Sequence, residues 1–596
     1  MPFLCQPETP HSVKPQQREF SSRLVFPDSG SRTIWEICYS DPSLTNLRIR
    51  HAHEPLVLLD GYLSNRSYLL GQLGDTVNTG TTDAEVIGLY LGNCPNAALE
   101  NLKGCLFVCA LSPANGRMEL YRDRLGGRTG YWIQTPSYPA AASHASALAR
   151  LKGRFVPDTS FIAACFSLSG RPPMGRSSFT DINELMPGET IRQENGHFVR
   201  SRASVIQRKD PLPHDLQDQA DEFKRLLTLS VENTLCRERG TAAMVSGGLD
   251  SGPMAVIADQ LLSRSGKSLH AISWHLPNCP PSDERRWVEL LQPRLQNPIE
   301  FFDGTELSPF QSVSKEQVSP EAPLWNPCRA LVEECYSSAA QLGCGVILNG
   351  NAGDLLYPER AWLFLETLQR EGFQAVLGDI AWIVRHHGWR TVMRDPAFRR
   401  LVARKIGVDT VRRLRPSTSK TQRPWLTTYA QKHLLNDACL QQEEGFGYPE
   451  HFRNVFGQSM AFGRAHEQPY ALKHGIERRD PYQDEDLATF MVSLPFKSSH
   501  FKDKSKYVAR LAARELLPEA LWKKRRTGDL KPLINAGMTK YRQTLSEILE
   551  RRDAWQEWVR PEAVREALAQ PEPSGHQQLL ICQCLAYILW LEHHNA

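Results

Sequence analysis

The segment Ser246-Gly247-Gly248-Leu249-Asp250-Ser251-Gly252 carries the densest chemistry in the chain. Its glycines let backbone N–H groups approach a ligand closely, and the Ser246 and Ser251 hydroxyls add donors. The segment joins a short apolar run, Ala242–Val245, to an apolar-periodic stretch opening near Pro253, so it reads as a strand-to-helix turn. A helix start exposes unpaired N–H groups and the positive end of the dipole, and the sum is an anion cradle. Asp250 in such a cradle repels a phosphate unless a divalent cation stands between them. The Walker pattern is absent here, because Gly266-Lys267-Ser268 has Leu261 where the first glycine is required.

The elements around this loop alternate. Gln217–Leu235 has amphipathic helical spacing, and strand-like runs recur at Ala242–Val245, His270–Trp274 and Cys344–Leu348. Helical stretches at 252–262 and 283–291 lie between them. Strands alternating with helices predict a parallel, doubly wound sheet, followed here by a mostly helical C-terminal part. The first ~205 residues differ, with short strands at Leu56–Leu59, Cys105–Leu111 and Met118–Tyr121 punctuated by turns. A helix is predicted over Asp83–Gly92, capped by Thr82 or Asp83. The fold expected is therefore α/β: a sheet-rich α+β domain at 1–205, a linker at 206–215 and the parallel-sheet domain at 216–596.

Composition narrows the classes. At 596 residues the chain exceeds what one core usually supports, and 41% hydrophobic with 23% charged residues fits a globular protein. A net charge of +4 with scattered Arg argues against a nucleic-acid partner. The 14 cysteines include no CxxC pair and read as small buried hydrophobes in a reducing cytosol. The start has no signal-peptide pattern, and the longest apolar stretch, Leu579–Leu591, is too short to span a membrane. A cytoplasmic protein without a membrane partner is expected. The adjacent pairs His386-His387 and His593-His594 lack further ligands and read as non-metal positions.

The Ser-Gly-Gly-Leu-Asp-Ser loop resembles the pyrophosphate loop of ATP-pyrophosphatase enzymes, and three later blocks narrow the resemblance to the asparagine synthetase family. Ser282-Asp283-Glu284-Arg285 resembles that family's Asp-Glu segment. Leu348-Asn-Gly-Asn-Ala-Gly-Asp354-Leu-Leu is similar to its Gly-Asp-Gly-Gly-Asp-Glu-Leu-Phe block, and His474-Gly-Ile-Glu477-Arg478-Arg479-Asp480-Pro481 to its His-Gly-Ile-Glu-Val-Arg-Asp-Pro. Asp60-Gly61, Thr82-Asp83-Ala84-Glu85 and Tyr121-Arg122-Asp123-Arg124-Leu125-Gly126 resemble segments of the family's glutaminase domain.

The resemblance implies a ligase that adenylates a carboxylate with ATP, releases pyrophosphate and passes the acyl group to an amine. Ser246, Gly247, Gly248, Leu249, Asp250 and Ser251 would hold the nucleotide's pyrophosphate, with Asp250 and Asp354 sharing Mg²⁺. Glu477 matches a glutamate that serves as general base near the attacking amine; a surface ion pair with Arg478 or Arg479 is the plain alternative. A late lysine that stabilises the oxyanion aligns with Arg526 in Lys523-Lys524-Arg525-Arg526-Thr527-Gly528-Asp529, with Lys524 as the alternative.

Departures from the family set the expected reaction. Position 2 is proline, the nearest cysteine, Cys5, precedes Gln6 rather than Gly-Ile, and the family's Asn-Gly oxyanion pair reads Asp60-Gly61. Glutamine hydrolysis is thus expected to be lost, leaving the N-terminal domain as a degenerate scaffold or docking surface. The nucleophile is then an amine already on the substrate, as in lasso-peptide macrolactam synthetases (lasso cyclases) or β-lactam synthetases. The chain length, Leu355 in place of the magnesium block's glutamate, and the Thr527-Gly528-Asp529 ending favour the lasso branch. The expected partner is a peptide precursor, with a leader peptidase beside it. A β-lactam-type synthetase, an ammonia-dependent asparagine synthetase and an inactive peptide-binding relative are the alternatives. The basic stretch Arg390–Arg415 reads as a solvated face, or as a dock for an acidic peptide.

Overall fold

The computed structural model describes residues 3–7, 20–26, 33–39, 55–74, 81–112, 117–134, 139–167, 175–194, 197–202, 212–213, 215–236, 239–311, 313, 318–357, 372–378, 380–382, 384–385, 388–390, 425–434, 467–494, 498, 500–501, 504–524 and 528–595. Most of the linker expected at 206–215, most of the basic stretch 390–415, and Arg525 to Thr527 lie outside the described residues.

Two antiparallel sheets build the N-terminal part. One contains β1 (Phe3–Pro7), β2 (Phe20–Phe26), β3 (Thr33–Tyr39), β7 (Tyr131–Gln134), β8 (Pro139–Ala142) and β9 (Asn183–Glu184), in the order β2-β3-β1-β8-β7-β9. The other contains β4 (Leu56–Leu63), β5 (Gly104–Leu111), β6 (Met118–Arg122), β10 (Glu189–Glu194) and β11 (His197–Arg202), in the order β11-β10-β6-β5-β4. Strand β5 is apolar throughout because both of its faces are covered. Phe107, Cys109 and Leu111 join the cluster that includes Ala141 of the first sheet. Leu106, Val108 and Ala110 pack under the helices Arg66–Leu73 and Asp83–Asn93. Thr82 caps the second of these in a complete capping box with Glu85.

The second sheet system is fully parallel. It comprises β12 (Gly240–Met244), β13 (Leu269–His275), β14 (Glu300–Asp303), β15 (Cys344–Leu348) and β16 (Glu477–Arg479), in the order β14-β13-β12-β15-β16. The chain builds outward from β12 to β14, then returns to the other side of β12 with β15. Strand order therefore reverses between β12 and β15, and at such a switch the loops at the carboxyl ends diverge to leave a crevice. The helices Leu216–Thr234 and Ser251–Arg264 bury Phe223, Leu227, Val231, Met254 and Ile257 in the core against this sheet.

One helix is shorter than its spacing predicts. The stretch 283–291 is α-helical only over Arg285–Glu289, flanked by 3₁₀ turns at Pro280–Ser282 and Gln292–Arg294. Pro280, Pro281 and Pro293 lack the N–H groups a longer helix would use. The C-terminal helix Gly575–Asn595 shares a core with helices Ala145–Leu151 and Thr159–Cys165 of the N-terminal part, through Phe161, Phe166, Tyr587 and Trp590 among others. Among the described residues no helix is long and apolar enough to cross a membrane, and the cysteines whose side chains are described are free thiols.

Candidate active site

The predicted loop follows β12 at the switch point. Gly247 adopts φ +61°, and a Cβ there would stand 2.8 Å from the Trp287 backbone, so glycine is required on both counts. The Ser246 N–H donates to Ser251 Oγ at 3.1 Å, and the two serine hydroxyls lie 3.2 Å apart. The loop is thereby curled over the start of the Ser251–Arg264 helix. Asp250 stands at the N-cap position of that helix, yet its carboxylate makes no capping hydrogen bond. It points instead toward the neighbouring loop.

That loop is Asn349–Asp354, leaving β15 on the other side of the switch. Two glycines let it close onto the first loop: a Cβ on Gly350 would lie 2.9 Å from Ser251 N, and one on Gly353 would lie 2.6 Å from Asp250 Cγ. Ala352 between them has φ +74°, a conformation that costs a non-glycine residue on the order of 1–3 kcal/mol. The outcome is that Asp250 and Asp354 face one another. Asp250 Oδ2 and Asp354 Oδ1 each lie 2.5 Å from the same ammonium, Lys506 Nζ. The two oxygens are therefore at most twice 2.5 Å, or 5.0 Å, apart.

Lys506 escaped the sequence reading. It sits in a lysine-rich run with Lys502 and Lys504, where each lysine looks like a solvated charge. Only the fold reveals its place: Lys506 is buried, left-handed at φ +56°, and packs 5.2 Å from the centre of the Tyr357 ring. Asp250 Oδ1 is buried with no hydrogen-bond partner among the described residues, and so is the Tyr357 hydroxyl. Burial raises the Asp250 pKa, opposed by the Lys506 ammonium. Tyr482, following β16, donates from its hydroxyl to the Asp250 carbonyl at 2.8 Å and fixes the backbone beneath the carboxylate.

These features fit a divalent cation. Two carboxylates converge on one point already taken by a positive charge, and one carboxylate oxygen is left without a partner. No cluster of three or more His, Cys, Asp or Glu is found among the described residues. Two carboxylates suffice for Mg²⁺, which keeps its remaining positions for water and substrate phosphates.

The other predicted residues are placed elsewhere. Lys524 Nζ is bound to Glu284 Oε1 at 2.7 Å and lies 4.9 Å from the Trp287 ring centre, one side chain behind Gly247. Gly528 and Asp529 pack on the same strip, with Asp529 O accepting from Ser282 Oγ at 2.8 Å. The 282–287 and 524–529 segments thus meet, but the lysine between Asp250 and Asp354 is Lys506, not Lys524. Arg526 lies outside the described residues.

Glu477 lies on the neighbouring strand β16, apart from the Asp250 and Asp354 pair. Register pairs it with Val346 and through that residue with Thr241, five residues before Ser246 and, at ~3.3 Å per residue, roughly 16 Å down the sheet. Its Oε1 accepts from Arg128 Nη2 at 2.6 Å and its Oε2 from Arg479 Nη2 at 2.7 Å. Burial would raise its pKa, but the Arg479 and Arg128 guanidinium groups outweigh this and hold it at about 2. A general base works best with a pKa near the operating pH and a free oxygen. In this arrangement both Glu477 oxygens are engaged by guanidinium groups, one from each domain. Its pair with Arg479 is not a surface one: Arg128 comes from the N-terminal domain.

The Arg122–Arg128 stretch explains that contact. The Asp123 carboxylate accepts from the N–H groups of Leu106, Leu125 and Gly127 at 2.7–3.1 Å and so fixes the loop. From it Arg124 reaches Glu485 at 2.7 Å and Arg128 reaches Glu477. Arg128 Nε also lies 3.5 Å from Asp60 Oδ1. Burial would raise the Asp60 pKa; nearby positive charge, Arg128 included, lowers it overall. Position 60 is therefore a buried acid beside Arg128. Cys5 lies inside β1, paired with Ile37 on one side and Ala141 on the other.

A family model described as asparagine synthase matches residues 222–592, and one described as a glutamine amidotransferase domain matches 50–202. Among solved structures, glutamine phosphoribosylpyrophosphate amidotransferase from B. subtilis, complexed with ADP and GMP, matches with 12% identity over 52% of this chain and 75% of its own, at a TM-score of 0.22. An allosteric regulatory enzyme of purine biosynthesis matches with 13% identity over 52% and 76%, also at 0.22. No curated protein matches the chain.

Proposed function

The chain belongs to the asparagine synthase family and is an ATP-dependent carbon–nitrogen ligase, and from that premise we propose that it closes a macrolactam in a peptide precursor, joining the N-terminal amine to an Asp or Glu side chain. A carboxylate is a poor electrophile. Transfer of the adenylyl group from ATP forms an acyl–AMP anhydride and releases pyrophosphate; the amine nitrogen then attacks the acyl carbon, AMP leaves with the C–O bonding pair, and the amine loses a proton.

The observation that carries the adenylation half is the convergence of Asp250 and Asp354 on one cation position at the switch point. Ser246 to Ser251 would bind the pyrophosphate portion of ATP through backbone N–H groups and hydroxyls. Mg²⁺ held by Asp250 and Asp354 would neutralise charge on the phosphate oxygens. Lys506 would then be released toward the same anions as a donor. For the nitrogen half, support comes from the N-terminal domain. By the family resemblance Asp60 replaces the residue that would serve a glutaminase as oxyanion donor, and Arg128 bridges it to Glu477. Nitrogen from glutamine is disfavoured on that geometry, which leaves an amine of the substrate itself.

The test is incubation of the purified chain with ATP, Mg²⁺ and a peptide bearing a free N-terminal amine and an Asp or Glu several residues along. Production of AMP and pyrophosphate with loss of one water from the peptide is expected. Formation of asparagine from aspartate and ammonia, with no change in any peptide, would overturn the macrolactam reading and favour the small-molecule one.

A further inference from the structure

The interdomain ion cluster and the paired acids are joined by one short strand. Arg479 is the residue they share. Its side chain lies in the interdomain cluster, bound to Glu477 at 2.7 Å, 4.6 Å from the Tyr62 ring centre, and donating to the Thr234 and Leu235 carbonyls at 3.2 and 3.3 Å. Its carbonyl accepts from Asn349 N–H at 3.0 Å, the first residue of the loop that carries Asp354. Asn349 Oδ1 in turn accepts from Asn351 N–H at 2.9 Å, shaping the turn. Three residues beyond Arg479, Tyr482 holds the Asp250 carbonyl. Both catalytic acids are thus anchored to the segment 477–482, whose first residue is gripped by Arg128 of the N-terminal domain.

A three-residue strand on the edge of a sheet has few ladder bonds to fix it. Among the described residues strand β16 pairs only with β15. What holds its outer end is charge: Glu477 is clamped between Arg128 and Arg479, and Arg478 is bound to Asp480 at 2.9 Å. Buried charge-assisted bonds of this kind are strong and directional, and removing one partner leaves the other charge uncompensated.

We propose that the N-terminal domain serves the ligase as a positioning element, with Arg128 as the positioning residue that sets the separation of Asp250 and Asp354 through Glu477, Arg479 and Asn349. Arg128 touches neither nucleotide nor metal. It fixes the origin of the strand from which both acid-bearing loops are held, so its loss lets the Asn349–Asp354 loop drift from Asp250. The inference rests on the proposed ATP and Mg²⁺ site.

The experiment measures Mg²⁺-dependent ATP binding by calorimetry, and ATP–pyrophosphate exchange across a Mg²⁺ titration, on the full chain. Arg128→Met, Arg128→Lys and Lys103→Met are compared with the unaltered protein. Lys103 is the control: it also crosses the interface, to Asp486 at 2.8 Å, but on an exposed pair away from β16. Arg128→Met is expected to raise the Mg²⁺ concentration at half-saturation at least tenfold in both measurements. Arg128→Lys should recover part of that shift, and Lys103→Met should stay within twofold of the unaltered protein. A purely structural part for Arg128 would lower the active fraction without moving the half-saturation point, and that result overturns the proposal. An equal shift in Lys103→Met also overturns it, because general docking would then be the cause. Failure of the unaltered protein to bind ATP with Mg²⁺ would instead remove the ligase site itself, and this inference with it.

Discussion

Two clusters of acid and base are tied to β16, and they differ in how far their oxygens are satisfied. One is of Glu477 with Arg128 and Arg479, the other of Asp250 and Asp354 with Lys506. In the interdomain cluster both oxygens of Glu477 are taken by guanidinium groups. In the switch-point cluster Asp250 Oδ1 is buried with no hydrogen-bond partner among the described residues, and Asp354 remains largely open to solvent, its side chain 74% exposed. A satisfied ion cluster can set geometry; an unsatisfied, solvent-facing one is where ligand binding is proposed. Charge and burial alone would have ranked the two together, and the count of free valences separates them.

Breaking the open cluster should have the largest effect. Asp250→Asn keeps the shape but removes the charge, and ATP–pyrophosphate exchange is expected to fall by ~10²–10³-fold, the range seen when a stabilising group is removed from a transition state. Lys506→Met should lower exchange by about 10²-fold. It should also lower the thermal midpoint in chelator, because two facing carboxylates lose their counter-charge, and Mg²⁺ should restore that midpoint. Loss of exchange without any metal-dependent change in stability would show that the two acids do not share one cation.

Gly353→Ala inserts a methyl 2.6 Å from Asp250 Cγ. The acids must separate, and a fall in exchange of at least about tenfold is expected, since ~1 Å of misplacement is costly in a preorganised site. Retained exchange would mean the two loops need not touch.

The closed cluster should show itself in acid. Glu477 has its pKa depressed from 4.5 to about 2, so its contribution to stability is complete above pH ~4.5 and is lost as pH falls toward 2. Arg128→Met removes one of the charges that depress it. The acid limb of the unfolding curve should then begin at higher pH than in the unaltered protein, measured by circular dichroism across pH 7 to 2. An unchanged limb would mean that Arg479 alone holds Glu477. The smallest effect is expected for Lys103→Met in denaturant, at most about 1 kcal/mol, because that pair is exposed.

Local signals made much of this readable in advance. Strand β15 was legible to the residue because Cys344–Leu348 is a compact apolar run between a Gly turn and polar residues. The strand-to-helix turn at 246–250 was legible because glycines and hydroxyls stand between an apolar run and a helical spacing. Asp250 and Asp354 were legible through family pattern, each beside glycines that allow close approach. Lys506 was not, since its burial comes from elements far away in sequence. Glu477 was legible as a residue but its partner was not, because Arg128, 349 positions earlier, comes from another domain.

The sequence by itself determined the elements, the α/β class and the residue types of the anion loop, all consequences of periodicity and of backbone freedom over a few neighbouring positions. Only the tertiary structure decided which charges meet. Whether a carboxylate binds a metal, takes a proton or holds two domains together depends on what stands within about 3 Å of its oxygens. Chain folding brings those neighbours from hundreds of residues away, and no local pattern records their arrival.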